Sequence, residues 1–150
     1  SFDLIYSVYA FYYTKNEVKL LNNLKKLLKS DGRISIIGPY SDNNKNWWDF
    51  LEQFMTVPDS LRKFANTEFM QGVEEYAKIN FQDVKFDEFV NEITFPSIDV
   101  FRQYWKSNIY YDSKYDSDFE LYAKKHFETH NNFQYSKKAE IITMKSPMIL

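Results

Sequence analysis

"FDLIYSVYAFYYTKNEVKLLNNLKKLLKSDGRISIIG", residues 2–38, decides the fold. Its first seven residues, "FDLIYSV", are rich in β-formers with little alternation, the pattern of a strand covered on both faces. In "TKNE", Thr14 and Glu17 have the spacing of a capping box, in which the hydroxyl takes an orphan N–H and the carboxylate reaches back. Apolar positions then recur at Val18, Leu21, Leu24 and Leu28, with Leu20 and Leu27 flanking, which predicts a helix with one apolar face. Lys25, Lys26 and Lys29 sit near the negative end of its dipole. "SDG" stops the helix, with Gly32 expected in the left-handed conformation. "RISIIG", residues 33–38, is a short β-branched strand. A strand–helix–strand of this length predicts two parallel strands joined by a right-handed crossover.

Outward from this unit the pattern is mixed. "PYSDNNKN", residues 39–46, is a polar loop, and "WWDFLEQFM" opens a helix that Pro58 should end. Helical patches follow near 59–65 and 68–78. "DVKFDEFVNEITF", 83–95, predicts a strand with charges on one side and Phe89, Ile93 and Phe95 on the other. Ser97 is placed to cap a helix over "IDVFRQYWKS". A further helix is expected over 119–130 and a last strand over 133–145. No repeat, low-complexity segment or domain boundary is visible, so the chain reads as a single partial α/β domain. Its parallel β-α-β unit is followed by helical insertions, 47–78 and 97–130, and two late strands, one of them antiparallel.

Composition narrows the function. The 150 residues are 44% hydrophobic and 27% charged, a globular balance. A formal net charge of −2 gives no electrostatic argument for nucleic acid or an anionic membrane. The longest apolar run, near 4–13, is too short to span a bilayer. With no cysteine there is no disulfide, thiolate metal site or cysteine nucleophile, which fits a reducing, cytoplasmic setting. Only 3 residues are glycine, and neither GxGxxG nor GxxxxGK[ST] occurs, so this chain holds no glycine-rich phosphate loop. Aromatics reach 19%, enough to line an organic ligand's pocket or to fill a core.

In an open parallel sheet, ligands bind beyond the carboxyl ends of the strands. Those ends carry Ser7, Tyr9, Tyr12, Tyr13, Pro39 and Tyr40, followed by Asp42, Asn43 and Asn44. Such a rim suits an organic ligand with a delocalised or sulfonium charge better than a phosphate. His126 and His130 lie four apart in "HFETH", yet no third ligand is evident and a solvated helix face is the default. Trp105, Tyr110 and Tyr111 could cap a pocket or pack, and Trp47 and Trp48 read more readily as packing of a helix onto the sheet than as a lid. Lys137 and Lys138 read as a solvated strand edge.

These residues resemble a family. "FDLIYSVYAFYY" followed by "LKKLLKSDGRISIIGP" is similar to the fourth strand, helix and fifth strand of class I S-adenosylmethionine-dependent methyltransferases of the small-molecule type. The matching positions are Phe2, Asp3, Ile5, Ser7, Ala10, Tyr13, Leu28, Lys29, Gly32, Arg33, Gly38 and Pro39. "KSDG" stands where "KPGG" is common. "FPSIDVFRQYWKSNIYYD" resembles the insertion after the sixth strand, and "KKAEIIT" the seventh strand. The resemblance implies a Rossmann-like fold of which this chain is the C-terminal half, lacking the glycine-rich loop and the acidic ribose ligand, and therefore inactive alone. It implies S-adenosyl-L-methionine as cofactor in the complete protein, near Ser7, Val8 and Tyr9. Tyr12, Tyr13, Tyr40 and Trp47 would face a small or medium organic acceptor. The reaction would be direct displacement at a methyl carbon, with no base identified. An open first strand would invite a homodimer or other pairing. The alternatives are a non-catalytic binding or dimerisation module and another doubly wound domain such as a flavodoxin-like one.

Overall fold

A computed structural model describes residues 1–59 and 68–148. The order is β1 (Phe2–Val8), a 3-10 turn (Phe11–Tyr13), α1 (Glu17–Leu27), β2 (Leu28–Pro39), α2 (Lys45–Leu51), α3 (Glu68–Asn80), β3 (Phe81–Phe95), α4 (Ile98–Ser107), a second 3-10 turn (Ser113–Tyr115), α5 (Asp116–Phe127) and β4 (Phe133–Pro147). The helical patch expected at 59–65 lies almost wholly outside the described residues. The chain packs as two compact units. The first holds residues 1–43, 68–90 and 138–148; the second holds 44–59 and 91–137.

The strands form a four-stranded sheet in the order β1-β2-β4-β3. β1 and β2 are parallel, with Ile5 beside Ile34, Ser7 beside Ile36 and Val8 beside Ile37. β4 runs antiparallel to β2, with Ile36 beside Ile142 and Gly38 beside Glu140. Gln134 bonds Thr94, Ser136 bonds Glu92, and the Met148 N–H bonds the Asn80 carbonyl, so β3 and β4 also run in opposite directions. The expected mixed sheet, parallel first and antiparallel late, is the one observed.

In the first unit the core lies between one sheet face and α1 and α3. Met70, Val73 and Ala77, on one face of α3, are buried with Leu21 of α1, Ile34 and Ile36 of β2, and Ile142 and Met144 of β4. Tyr76 donates its hydroxyl hydrogen to Asn22 at 2.8 Å and so ties α3 to α1. Buried Asn80 closes the end of α3 through the Tyr76 carbonyl at 2.9 Å.

The details of the β-α-β unit depart from expectation. Helix α1 begins at Glu17 and is capped by Asn16, whose side chain accepts the Lys19 N–H at 2.8 Å. Thr14 instead accepts the Asn16 N–H, so the capping box does not form. Asn is as good a cap as Thr and stands two residues nearer the apolar stripe. Leu28 is already extended, and no glycine has positive φ. Gly32 is needed for another reason: a Cβ there would lie 2.8 Å from the Phe2 carbonyl oxygen. This is the point where β2 bulges between its Phe2 and Leu4 partners.

β1 is not covered on both faces. Ile5 packs on the core, but Phe2, Leu4, Tyr6 and Val8 point the other way and are exposed, Tyr6 at 70%. The strand has a single neighbour, so its outer edge is unpaired among the described residues. Phe89 of β3, the opposite edge strand, is likewise exposed.

The second unit answers the aromatic excess with a core. Trp47, Phe50, Phe95, Phe101, Trp105, Phe119, Phe133 and Tyr135 are all buried. Phe101 stacks on Phe133 at 4.4 Å between centroids, and Trp105 on Phe119 at 5.3 Å. The Trp105 indole donates to Asp116 at 3.0 Å, and Tyr111 donates to the same carboxylate. Trp105 is therefore core, not a pocket cap. Ser97 caps α4 as expected, accepting the Val100 N–H. α2 ends at Leu51, short of Pro58.

Candidate functional site

The crossover makes a site by bringing two carboxyl ends together. Val8 ends β1 beside Ile37, and the Tyr9 N–H bonds the Ile37 carbonyl at 2.9 Å. Tyr9 takes φ 50, a left-handed conformation that is uncommon outside glycine and ends the strand abruptly. Its ring is partly exposed, and desolvation raises its hydroxyl above the ordinary phenol range. Ser7 is half-buried and Val8 exposed. Phe11, in the turn that follows, is buried and anchors the segment in the core. Tyr12 is half-buried edge-on to Phe69, while the exposed ring of Tyr13 lies tilted against Tyr12, 4.7 Å between centroids.

Beyond β2, Tyr40 is half-buried against the core, with its backbone N–H on the Lys138 carbonyl at 3.1 Å. Asn43 is buried and accepts the Lys138 N–H at 2.8 Å, locking the loop to β4. Asp42 pairs with the Lys138 ammonium, which holds its carboxyl below the usual range. The structure thus gathers Ser7, Val8, Tyr9 and Tyr40 at one end of the sheet, with Tyr12 and Tyr13 on the adjoining turn. Trp47 belongs to the second unit. It is 2% exposed, enclosed by Phe50, Phe101, Tyr104 and Tyr135, and serves there as packing.

Sequence reasoning missed Glu74, Glu88 and Glu140. Glu140 is 3% exposed; burial first, and then the charges of Glu74 and Glu88, raise its carboxyl to about 7. The same charges, Glu88 foremost, push the Tyr40 hydroxyl up. A cavity of about 180 Å³ opens here, lined by Tyr40, Ser41, Glu88, Phe89, Val90, Lys138 and Ala139. A larger hollow of about 590 Å³ lies among Asn22, Lys25, Lys26, Leu28, Ser30, Pro147 and Met148. It sits where β2 begins, the wrong end of a parallel pair for ligand binding. Among the described residues no group of three His, Cys, Asp or Glu can hold a metal ion. His126 stacks on His130 at 4.4 Å, and its Nε2 faces the Asn132 carbonyl at 2.9 Å. No described helix is long and apolar enough to cross a membrane.

Comparison of the sequence with family profiles and with curated proteins yields no match. Solved structures do match. A protein of Bacillus halodurans C-125 assigned as a methyltransferase aligns over 98% of this chain and 65% of its own, with 11% identity and a TM-score of 0.52. Haemonchus contortus phosphoethanolamine N-methyltransferase 2, in complex with phosphomonomethylethanolamine and S-adenosylhomocysteine, aligns over 99% of this chain and 34% of its own, with 17% identity and a TM-score of 0.47. The plantazolicin methyltransferase BpumL, in complex with S-adenosylhomocysteine, aligns over 97% and 52%, with 14% identity and a TM-score of 0.43. The chain thus spans about two thirds of the first of these proteins and less of the other two. The fold is that of the Rossmann-like methyltransferases.

Proposed function

We propose that this chain is the substrate-side portion of an S-adenosylmethionine-dependent methyltransferase, working in the cytoplasm on a small or medium organic acceptor. One observation carries the reading. The two segments with the family pattern, ending in "SVYAFYY" and "SIIGP", form parallel strands whose carboxyl ends meet at Val8 and Ile37. The shared fold with the Bacillus halodurans protein supports it. The antiparallel β4 beside β2 speaks against a flavodoxin-like alternative, whose doubly wound sheet is parallel.

The rim fits a sulfonium ligand. It carries the rings of Tyr9 and Tyr40, and the glutamates around Tyr40 make it electronegative. Ser7, Val8 and Tyr9 would lie along the cofactor, with Tyr12, Tyr13 and Tyr40 toward the acceptor. When bound, the cofactor supplies an electrophilic methyl group. The residues of this chain have the task of orienting the acceptor and excluding water, and little covalent chemistry is asked of them. The chain holds no glycine-rich loop, so its own grip on the donor is expected to be weak.

Titrating S-adenosylhomocysteine into the chain while recording amide resonances tests this. Shifts should centre on Ser7–Tyr9 and saturate only at millimolar ligand. Shifts centred instead on Leu28–Ser30, or no shifts anywhere, would remove the reading.

We further propose that the unpaired edge of β1, with Phe2, Leu4, Tyr6 and Val8 exposed beside it, pairs with strands of another chain or a second copy. Sedimentation should show association that Tyr6→Lys abolishes. A monomer at every concentration would count against pairing between copies.

A further inference from the structure

Three glutamates meet on one sheet face. Tyr40, just beyond β2, and Val84 of β3 both pack on the core, so two-residue periodicity along β3 puts Glu88 on that same face. Ile142 and Met144 put Glu140 there too. The β3–β4 pairing that joins Thr94 to Gln134 and Asn80 to Met148 brings Glu88 alongside Glu140 on the adjacent strand. Glu74 of α3 completes the group through its interaction with Glu140. Like charges on neighbouring strands repel, and a buried charge without a partner is costly. Glu140 Oε2 is buried with no hydrogen-bond donor among the described residues.

The cations nearby are committed. Lys78 pairs with Glu74 at 3.0 Å and lies over the Phe86 ring. Lys138 lines the cavity but pairs with Asp42. The group therefore has more negative charge than its own residues offset. The cavity beside it has room for about six waters at ~30 Å³ each. Glu88 and Tyr40, which face each other, are among the residues that line it. Carboxylate and ring faces together recognise alkylammonium groups, repel anions and give a neutral molecule no compensating charge.

We propose that this cavity binds a small organic cation of the alkylammonium class, held by the Glu88 carboxylate and the ring of Tyr40. The bound cation offsets the charge of Glu88, the one glutamate of the group that lines the cavity. Identifying it as the methyl acceptor rests on the methyltransferase reading; its binding does not.

The test titrates the full chain with propylammonium, propanol and propionate while amide resonances of residues 40–41, 88–90 and 138–139 are recorded. Propylammonium should saturate these sites and bind at least about tenfold more tightly than propanol, since a charge-assisted contact contributes about 1.4 kcal/mol or more. Propionate should leave them unmoved. Glu88 is exposed, so Glu88→Gln should fold normally and lose about tenfold in propylammonium affinity while propanol is unaffected. Equal binding of propanol, binding of propionate, or full affinity in Glu88→Gln would overturn the proposal. No donor is present in this experiment. Ammonium binding alongside a failed S-adenosylhomocysteine titration would cost the methyltransferase reading and leave this site standing.

Discussion

Phe101→Ala is expected to destabilise the second unit by about 4 kcal/mol, the usual cost of emptying a fully buried aromatic site. Phe101 is 0% exposed. Its ring lies 4.4 Å from Phe133, 5.0 Å from Phe50, 5.1 Å from Phe119 and 5.2 Å from Phe95. These neighbours come from α2, β3, α5 and β4, so relaxing one to fill the void would pull another out of contact. A loss of this size is a large share of an ordinary domain's stability of about 5–15 kcal/mol. All three tryptophans, Trp47, Trp48 and Trp105, belong to this unit, so their fluorescence reports its unfolding selectively. Urea titration followed at the tryptophans should show the shift. A change below about 1.5 kcal/mol would mean that the aromatic cluster is loosely packed.

Glu140→Gln should act in the opposite direction, and only when the pH is high enough. Glu140 ionises in the folded chain at about 7, above the ordinary carboxylate value of 4.5, chiefly because it is buried. A raised folded value means that folding favours the protonated acid. The stabilising effect of that proton is complete below pH 4.5 and is lost as the pH rises through about 7. Each unit of difference corresponds to about 1.4 kcal/mol, so the wild-type chain should lose about 3–4 kcal/mol across this window. Gln carries no charge to bury and keeps an amide donor for Glu74. The variant should match the wild type near pH 4.5 and exceed it by about 3 kcal/mol near pH 8. Urea unfolding of both proteins across the window, read as their difference, checks this. Parallel profiles would show that Glu140 is ionised or solvated throughout.

The two glutamate experiments probe different things. Glu140→Gln measures what the buried charge costs the folded chain, whereas Glu88→Gln measures what the exposed wall of the cavity contributes to a cation. Tyr40 stands between them, and its hydroxyl is held protonated well into the alkaline range by the same carboxylates.

Much of the fold was legible in residues 2–38 because β-α-β signals are local. Strand propensity in "FDLIYSV" and "RISIIG" and the helical spacing of leucines between them need no distant contact to be read. The finer marks were less secure. Thr14 and Asn16 are both good caps, and the choice fell to the one nearer the helix. Gly32 looked like a helix stop, yet the Phe2 carbonyl, 30 positions away in sequence, is what excludes a side chain there. Tyr9 and Tyr40 could be placed at the carboxyl ends of the strands from their positions in the sequence. Trp47 was open to both readings, a pocket wall or a packing residue, and its burial among aromatic rings decides for packing.

By itself, then, the sequence determined that this chain builds a parallel strand pair around a helix, excluded a glycine-rich phosphate loop and a thiolate metal site, and placed the rim that carries Ser7, Tyr9 and Tyr40. Tertiary structure alone decided which faces are covered. In β4 the buried positions are Phe133 and Tyr135, then Ile142 and Met144, so burial passes from odd residues to even ones along one strand. Glu140 falls on the even set, beneath α3 and beside β3, though Lys137 and Lys138 just before it read as a solvated edge. A charge is buried or exposed by what packs against it, and those neighbours come from residues about 50 to 66 positions away, which no local pattern records.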